Sequence, residues 1–507
     1  MMEALPVEIL IQIFNPFCFH CQHSGVFPNA DLDEVREDKR VLAQLCRTSK
    51  AICAVAQPIL FHYYATGNSK IETRLYKGRD GFVSSDWEPD RLPQFIRSLV
   101  HRSDLAPEVV AMHIVANTLS SGYELRGYDD QSRTIRSLGE ISLIRGLPQA
   151  RHWPDDGHIS QISKLTAMQR RDLHYWLIKL AMILTPRLKS LFLATGGDID
   201  RSIVDLPCQV RLPSVRTVAL MGKFESYHIH QFKELYSALP NLENLYTCDA
   251  SKGNPSGTEV EWKPLDGDLR LSSVKKLALS DLYPRQLASL LASTSKLEDL
   301  EYYCNTARDE NVYLDTEDLA TIFQPVKSTL RRLCVSFLSP MPQMDYPDPF
   351  PQCIVPPYLN CPIGNFRDFE RLEELSIDSY SVNREDDRDE ADKLVTLLPR
   401  SIRKLRITYL FNGMEKSLRE LAIRAPERFP FLESVVIGIA ERTEPKFDWN
   451  IERTKEVGKL FEASGVRFSW KTDILGSDPR TMIPGAMPGS RLIPIPRIVD
   501  EPNHIQV

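Results

Sequence analysis

The 507-residue chain predicts an α/β fold in which a small all-helical module precedes an irregular repeat solenoid, with a parallel sheet on the concave side and helices on the convex side. Three observations carry this expectation. Nine segments share the form apolar-x-x-apolar-x-apolar, prolines recur at one fixed place ahead of them, and the stretches between them change period from 2 to about 3.6.

At the amino end, Leu5-Pro6-Val7-Glu8-Ile9-Leu10-Ile11-Gln12-Ile13-Phe14 has Pro6 where a first helical turn tolerates it. The spacing sets Leu5, Ile9, Leu10, Ile13 and Phe14 on one side of a short helix that Pro16 stops. After a charged stretch, 31–40, a second helical pattern carries Leu42, Leu45, Cys46, Ser49, Ile52 and Cys53 on one face, and Pro58-Ile59-Leu60-Phe61 follows. About 60 residues bury too little apolar area to stand alone, so these faces call for a partner surface. Leu5-Pro6-x-Glu8-Ile9-Leu10-x-x-Ile13-Phe14, then Leu42-x-x-Leu45-Cys46-x-x-Ser49, then Pro58-x-Leu60-Phe61 resembles an F-box, with a longer spacer between its first two parts than the compact form of the motif. The resemblance implies that Leu5, Pro6, Ile9, Leu10, Ile13, Phe14, Leu42, Leu45, Leu60 and Phe61 bind a Skp-type adaptor, and through it a cullin.

That spacer holds Cys18-Phe19-His20-Cys21-Gln22-His23, the one cluster with metal-ligand spacing. Zinc needs four ligands, normally from two knuckles, and Cys46 and Cys53 sit on an apolar helix face. The reading is therefore a packed spacer with no metal, and a structural zinc site is the alternative.

Next come a possible outlying strand at 109–114 and two helical patterns, 132–147 and 160–184, with a connecting or capping role. The nine repeat segments then run Leu188/Leu191/Leu193, Val215/Val218/Leu220, Leu242/Leu245/Thr247, Val274/Leu277/Leu279, Leu297/Leu300/Tyr302, Leu330/Leu333/Val335, Leu372/Leu375/Ile377, Ile402/Leu405/Ile407 and Leu432/Val435/Ile437. With 42% of residues apolar, such a pattern also arises by chance, so context decides. Proline stands two residues before the first apolar position in four of the nine (Pro186, Pro213, Pro240, Pro430), where 35 prolines in 507 residues predict fewer than one. From 191 to 435 the central positions advance by 30.5 residues on average over eight intervals. Between them, Phe232-Leu235-Tyr236-Leu239, Leu287-Leu290-Leu291, Leu394-Leu397-Leu398 and Leu418-Leu421-Ala422 have helical spacing. Each unit is a helix, a turn and a short strand, which buries its faces only by stacking on its neighbours. Over roughly 186–440 this is similar to the leucine-rich repeat family in its longer-repeat form, though without a regular Asn or Cys after the strand.

Eight prolines between Pro340 and Pro362 mark an inserted loop, and Arg384 to Glu390 reads as the solvated start of a helix. A helix at about 452–463 and the segment Val466 to Trp470 close the array. The expected organisation is an F-box with internal spacer at 1–64, a connector at 65–185, the solenoid at 186–471 with its loop at 339–367, and a flexible tail at 472–507.

A net charge of −6 without a basic patch argues against nucleic acid and anionic membranes as partners. The start lacks the basic and apolar regions of a signal peptide, the most apolar windows are short, and ten scattered cysteines fit a reducing compartment, so the expected location is the cytosol or nucleus. No nucleophile elbow, phosphate-cradling loop, dinucleotide fingerprint or His-Glu-x-x-His is present, and no catalytic residue or cofactor is assigned.

Strand alternation turns a second set of side chains away from the core. In the first strands these include Phe192, Met221 and Tyr246, read as an apolar anchor for a protein substrate. Later strands offer Asp299, Glu301 and Tyr303, then Glu374 and Asp378, for basic residues of that substrate, and the eighth offers Lys404 and Arg406. A polar outer face with Phe192 covered is the competing reading. Together the two resemblances imply a substrate-recognition subunit of an SCF-type cullin-RING ubiquitin ligase. The alternatives are a repeat scaffold without a ligase role and an enzyme with an unrecognised site.

Overall fold

The computed structural model describes residues 5–22, 33–65, 91–115, 132–144, 146–147, 166–195, 206–222, 229–248, 269–280, 282, 284–303, 321–336, 364–379, 382, 391–408, 414–438 and 451–471, and within these some side chains at the segment ends are not described. The tail at 472–507, the run Arg384 to Glu390, His23 and nearly all of the loop at 339–367 lie outside the described residues. The chain divides into two compact units between 257 and 258.

The first unit opens with helices α1 (Val7–Phe14), α2 (Phe19–Gln22), α3 (Asp33–Leu45) and α4 (Lys50–Phe61). Strand β1 (Tyr63–Ala65) starts two residues after α4 and pairs in parallel with β2 (Ala111–Val115). β3 (Ser190–Thr195), β4 (Thr217–Gly222) and β5 (Asn244–Cys248) follow in the same sense, each beside its predecessor. The possible outlying strand is thus a member of the ladder, and a further strand precedes it that the sequence pattern does not reveal. Three residues are too few to show a period, and Tyr63 and Tyr64 read as the end of the preceding helix.

Helix α5 (Leu92–His101) buries Leu92, Ile96, Leu99 and Val100 and packs on the Ala167–Leu184 helix, which buries Leu173, Trp176, Leu177, Leu180 and Ala181. That longer helix starts at a capping box, in which Thr166 Oγ1 accepts from the Gln169 N–H and the Gln169 side chain accepts from the Thr166 N–H.

Among the described residues the second unit holds seven parallel strands in chain order: β6 (Lys276–Ser280), β7 (Asp299–Tyr303), β8 (Arg332–Ser336), β9 (Glu374–Asp378), β10 (Lys404–Thr408), β11 (Ser434–Gly438) and β12 (Arg467–Lys471). Helices Pro284–Ala292, Lys393–Leu397, Glu415–Arg428 and Ile451–Ala463 lie in four of the six connections, and the described part of the β7–β8 connection holds the short 3-10 helix Gln324–Val326. No helix among the described residues is long and apolar enough to cross a membrane.

All 27 positions of the nine apolar triplets are buried, Thr247 included. The proline rule has a local cause. In each unit the N–H of the first apolar residue bonds to a carbonyl at the foot of the strand, as in Leu188→Thr185, Val215→Leu212, Leu242→Leu239, Leu297→Thr294 and Leu432→Phe429. These are four-residue turns, and Pro186, Pro213, Pro240 and Pro430 occupy the second position, where a fixed φ near −65° is already the turn conformation. The turns are also stitched to one another. Ser214 Oγ donates to Pro186 O at 2.8 Å, Asn241 Nδ2 to Pro213 O at 2.9 Å, and Ser401 Oγ to Leu372 O at 2.8 Å. The polar residue that ties successive repeats together therefore stands just before the strand, which is why no regular Asn or Cys is needed after it.

Thr294-Ser295-Lys296-Leu297 forms the same turn as Thr185-Pro186-Arg187-Leu188, down to a buried Thr whose hydroxyl bonds back into the helix. Ser295→Pro is expected to stabilise the second unit by about 0.4–1 kcal/mol by restricting the unfolded chain. A denaturant midpoint that falls on substitution would show that the turn differs from its counterpart.

Candidate functional site

Pro6 carries an extended backbone (φ −55°, ψ 147°), and its carbonyl accepts from the N–H groups of Ile9 and Leu10, starting α1. Successive side chains turn by about 100°, so a helix of eight residues cannot present Leu5, Ile9, Leu10, Ile13 and Phe14 on one narrow stripe. The structure separates them. Leu10 and Phe14 enter a core with Cys18, Leu42, Ile52, Val55, Ala56 and Ile59, with Leu45 and Leu60 packed at its margin. Leu5, Ile9 and Ile13 flank that buried stripe on one side, and Val7 and Ile11, which the motif does not mark, flank it on the other, all five being 36–54% exposed. Pro6 is exposed as well.

The single helical pattern through 42–53 is two helices. α3 ends at Leu45 because Ser49 adopts an extended backbone and its Oγ accepts from the Ile52 N–H at 3.3 Å, a cap that outcompetes continuation. Pro58 lies inside α4 and does not end it. Phe61 is half-buried and stacks on Phe95 of α5, so it is turned towards the connector and away from the exposed flank of α1.

The module is joined to the ladder through a polar chain that runs from half-buried Lys39 to buried Tyr63 and His113. Lys39 of α3 lies over the Tyr63 ring at 4.5 Å, the Tyr63 hydroxyl is 3.2 Å from His113 Nδ1, and the His113 ring meets Phe192 edge-on at 4.2 Å between centroids. Burial pushes the Lys39 ammonium down to about 8, and burial followed by the Lys39 charge holds the His113 ring at about 3.

Four metal-ligating groups converge at the end of the module. Cys18, His20, Cys21 and His62 place one donor atom each within 4.8 Å of one another, with Cys21 Sγ 3.3 Å and Cys18 Sγ 4.0 Å from His62 Nδ1. Cys18 is buried, the other three are half-buried, and its thiol is held far below the ordinary range, first by the Cys21 side chain and then by the His20 and His62 rings. The sequence offered three of these groups within four residues. His62 stands 41 residues beyond Cys21, and no local spacing points to it.

The sheet face differs from what alternation suggests. Phe192 is fully buried against His113 and is no exposed anchor. The same outward position is buried at Ala219, Ala278, Cys334 and Ser376, whose short side chains sink between ladder neighbours about 4.8 Å away, and at Glu301, which Lys276 covers at 2.6 Å. Tyr246 is half-buried, and the side chains of Met221, Tyr303 and Asp378 lie outside those described.

The acidic residues of the second unit are neutralised from within. The ladder register brings Lys276, Asp299, Arg332, Glu374 and Lys404 side by side, an alternation of sign across five strands. Lys276 Nζ lies 3.3 Å from Asp299 and 2.6 Å from Glu301, Arg332 is 2.9 Å from Asp299, and Lys404 is 3.1 Å from Glu374. Asp299 and Glu301 are buried. A ligand on this face meets a balanced row rather than an acidic one. Arg406, in the next row, is half-buried.

No protein-family model and no curated protein matches the chain. Among solved structures, the chain is similar to one described as the crystal structure of the Rad7 and Elc1 complex in yeast, at 12% identity, a TM-score of 0.22, and coverage of 63% of this chain and 91% of that one.

Proposed function

We propose that the protein is a non-catalytic substrate receptor of an SCF-type cullin-RING ubiquitin ligase, in the cytoplasm or nucleus, whose amino-terminal module docks a Skp-type adaptor while the parallel-strand repeats hold a protein target. The observation that carries the reading is α1, an eight-residue helix with two side chains in the module core and four large apolar ones, Val7, Ile9, Ile11 and Ile13, at the surface, with Leu5 exposed just before it. A small helix leaves that much apolar surface exposed when a partner covers it. A repeat array behind such a module then brings the lysines of a bound target to a ligase by raising their effective concentration, with no chemistry asked of this chain.

The experiment is a pull-down of the full chain with a purified Skp-type adaptor. Ile9→Asp with Ile13→Asp is expected to abolish capture with the thermal midpoint held within a few degrees, since both side chains lie outside the core. Wild-type protein that fails to bind the adaptor, or a double variant that binds equally well, rejects the reading. Target capture is assigned to Tyr246, half-buried in the outward row of the first unit. Tyr246→Ala is expected to weaken it, whereas Phe192→Ala acts through folding.

A further inference from the structure

The cluster at the end of the module is more than a packed spacer. We propose that Cys18, His20, Cys21 and His62 form a four-ligand zinc site that clamps the spacer after α1 to the end of α4.

The donor set and its geometry select the ion. Two sulfurs and two imidazole nitrogens around a point, at Zn–S of about 2.3 Å and Zn–N of about 2.0–2.1 Å, give tetrahedral edges of roughly 3.3–3.8 Å. The two measured Sγ to Nδ1 separations of 3.3 and 4.0 Å bracket that range. Two thiolates and two neutral imidazoles carry two negative charges, which a divalent zinc ion cancels, so the loaded centre is neutral where Cys18 is buried. A soft, tetrahedral S2N2 set favours zinc over magnesium, calcium or manganese, which take oxygen ligands.

A second, independent observation concerns His20. His20 Nδ1 is buried and has no hydrogen-bond partner, in a ring that belongs to the four-donor cluster. An unbonded buried ring nitrogen is costly, and a metal ion accounts for it. His62 turns Nδ1 to the thiols and leaves its Nε2 on the side of the Glu108 carboxylate, 3.9 Å away.

The backbone supports the chelate. Asn15 O accepts from the Cys18 N–H, and Cys18 O accepts from the N–H groups of Cys21 and Gln22, so the Cys-x-x-Cys segment is a fixed turn. His62 is the residue that separates α4 from β1. The ion thus closes a 44-residue loop from Cys18 to His62 and ties the segment behind the exposed helix to the start of the ladder. Metal binding of this kind is folding free energy for a module with a small core.

The full chain, expressed without a metal-binding tag and purified without added metal, is expected to carry about one zinc per chain by inductively coupled plasma mass spectrometry. Cobalt(II) added to chelator-treated protein is expected to give the visible absorption of a tetrahedral thiolate site. Cys21→Ser and His62→Ala are each expected to lower zinc retention after dialysis at least tenfold. Chelation should lower the thermal midpoint of wild type and leave that of His62→Ala unchanged. Two thiols that react only after chelator is added would support the site. Wild type with less than a tenth of an equivalent of zinc after reconstitution and no cobalt spectrum would overturn it, as would a Cys18–Cys21 disulfide in the reduced, zinc-supplied protein. The cobalt spectrum is read on wild type, so it decides the question even if the variants do not fold.

Discussion

Lys276→Met is expected to destabilise the second unit by about 3–5 kcal/mol, because the ammonium is shared by two buried carboxylates. Asp299 keeps Arg332 at 2.9 Å after the substitution, whereas Glu301 loses the cation 2.6 Å away. Taking two carboxylates out of water costs several kcal/mol each, and the attraction to Lys276 offsets that cost only while the pair is intact. Methionine retains the aliphatic stem and removes only the charge. The expected loss is therefore electrostatic, and adding Asp299→Asn and Glu301→Gln to Lys276→Met should recover most of it. Urea unfolding followed by far-ultraviolet circular dichroism measures both. A single substitution that costs less than about 1 kcal/mol would mean that water reaches these carboxylates and that the pairs count as ordinary surface ones.

Acid is expected to destabilise the first unit through His113. The ring is buried and neutral, with its folded value depressed from 6.5 to about 3, first by burial and then by the Lys39 charge. Above pH 6.5 both folded and unfolded states hold it neutral. As pH falls below 6.5 the unfolded chain binds the proton and the folded one does not, so stability declines by up to about 1.4 kcal/mol per pH unit until the folded value is passed. His113→Gln removes the titration and leaves an amide beside the Tyr63 hydroxyl, so its unfolding midpoint should be flatter between pH 6.5 and 4. The comparison is made on chelator-treated protein, which removes any contribution from acid release of a metal. Equal acid slopes in wild type and variant would assign the decline to other groups.

These two effects separate what a chain of letters encodes from what folding adds. The repeat was legible because it depends on neighbours in sequence. Leu188, Leu191 and Leu193 point inward by strand period, and Pro186 marks a turn by its fixed φ. Both rules are local: the strand period buries all nine triplets, and proline marks the turn in the four units that carry one. Where two local signals competed, the shorter-range one won, as when the Ser49 cap divided a continuous helical pattern into α3 and α4.

On the outward face the structure favours the covered Phe192 over the exposed anchor, for a physical reason. Alternation says which way Phe192 points but nothing about what lies beyond it, and a histidine 79 residues earlier closes over the ring. Charge was misread in the same way. Asp299 and Glu301 looked like an acidic surface because sequence order does not show that Lys276 and Arg332 stand beside them in register. In α1 the helical period placed five apolar residues on one side, but the orientation of the helix on α4 decided that Leu10 and Phe14 are core while Leu5, Ile9 and Ile13 remain at the surface.

By itself the sequence determined the repeating helix, turn and strand unit, the turns that precede each strand, and the presence of an amphipathic helical start, all of which follow from periodicity and backbone stereochemistry. Only the tertiary structure decided which charges neutralise one another, which outward side chains meet solvent, and that His62 joins Cys18, His20 and Cys21. Each of those depends on groups brought within a few ångströms by the packing of elements dozens of residues apart, a distance over which hydrophobic spacing carries no information about partners.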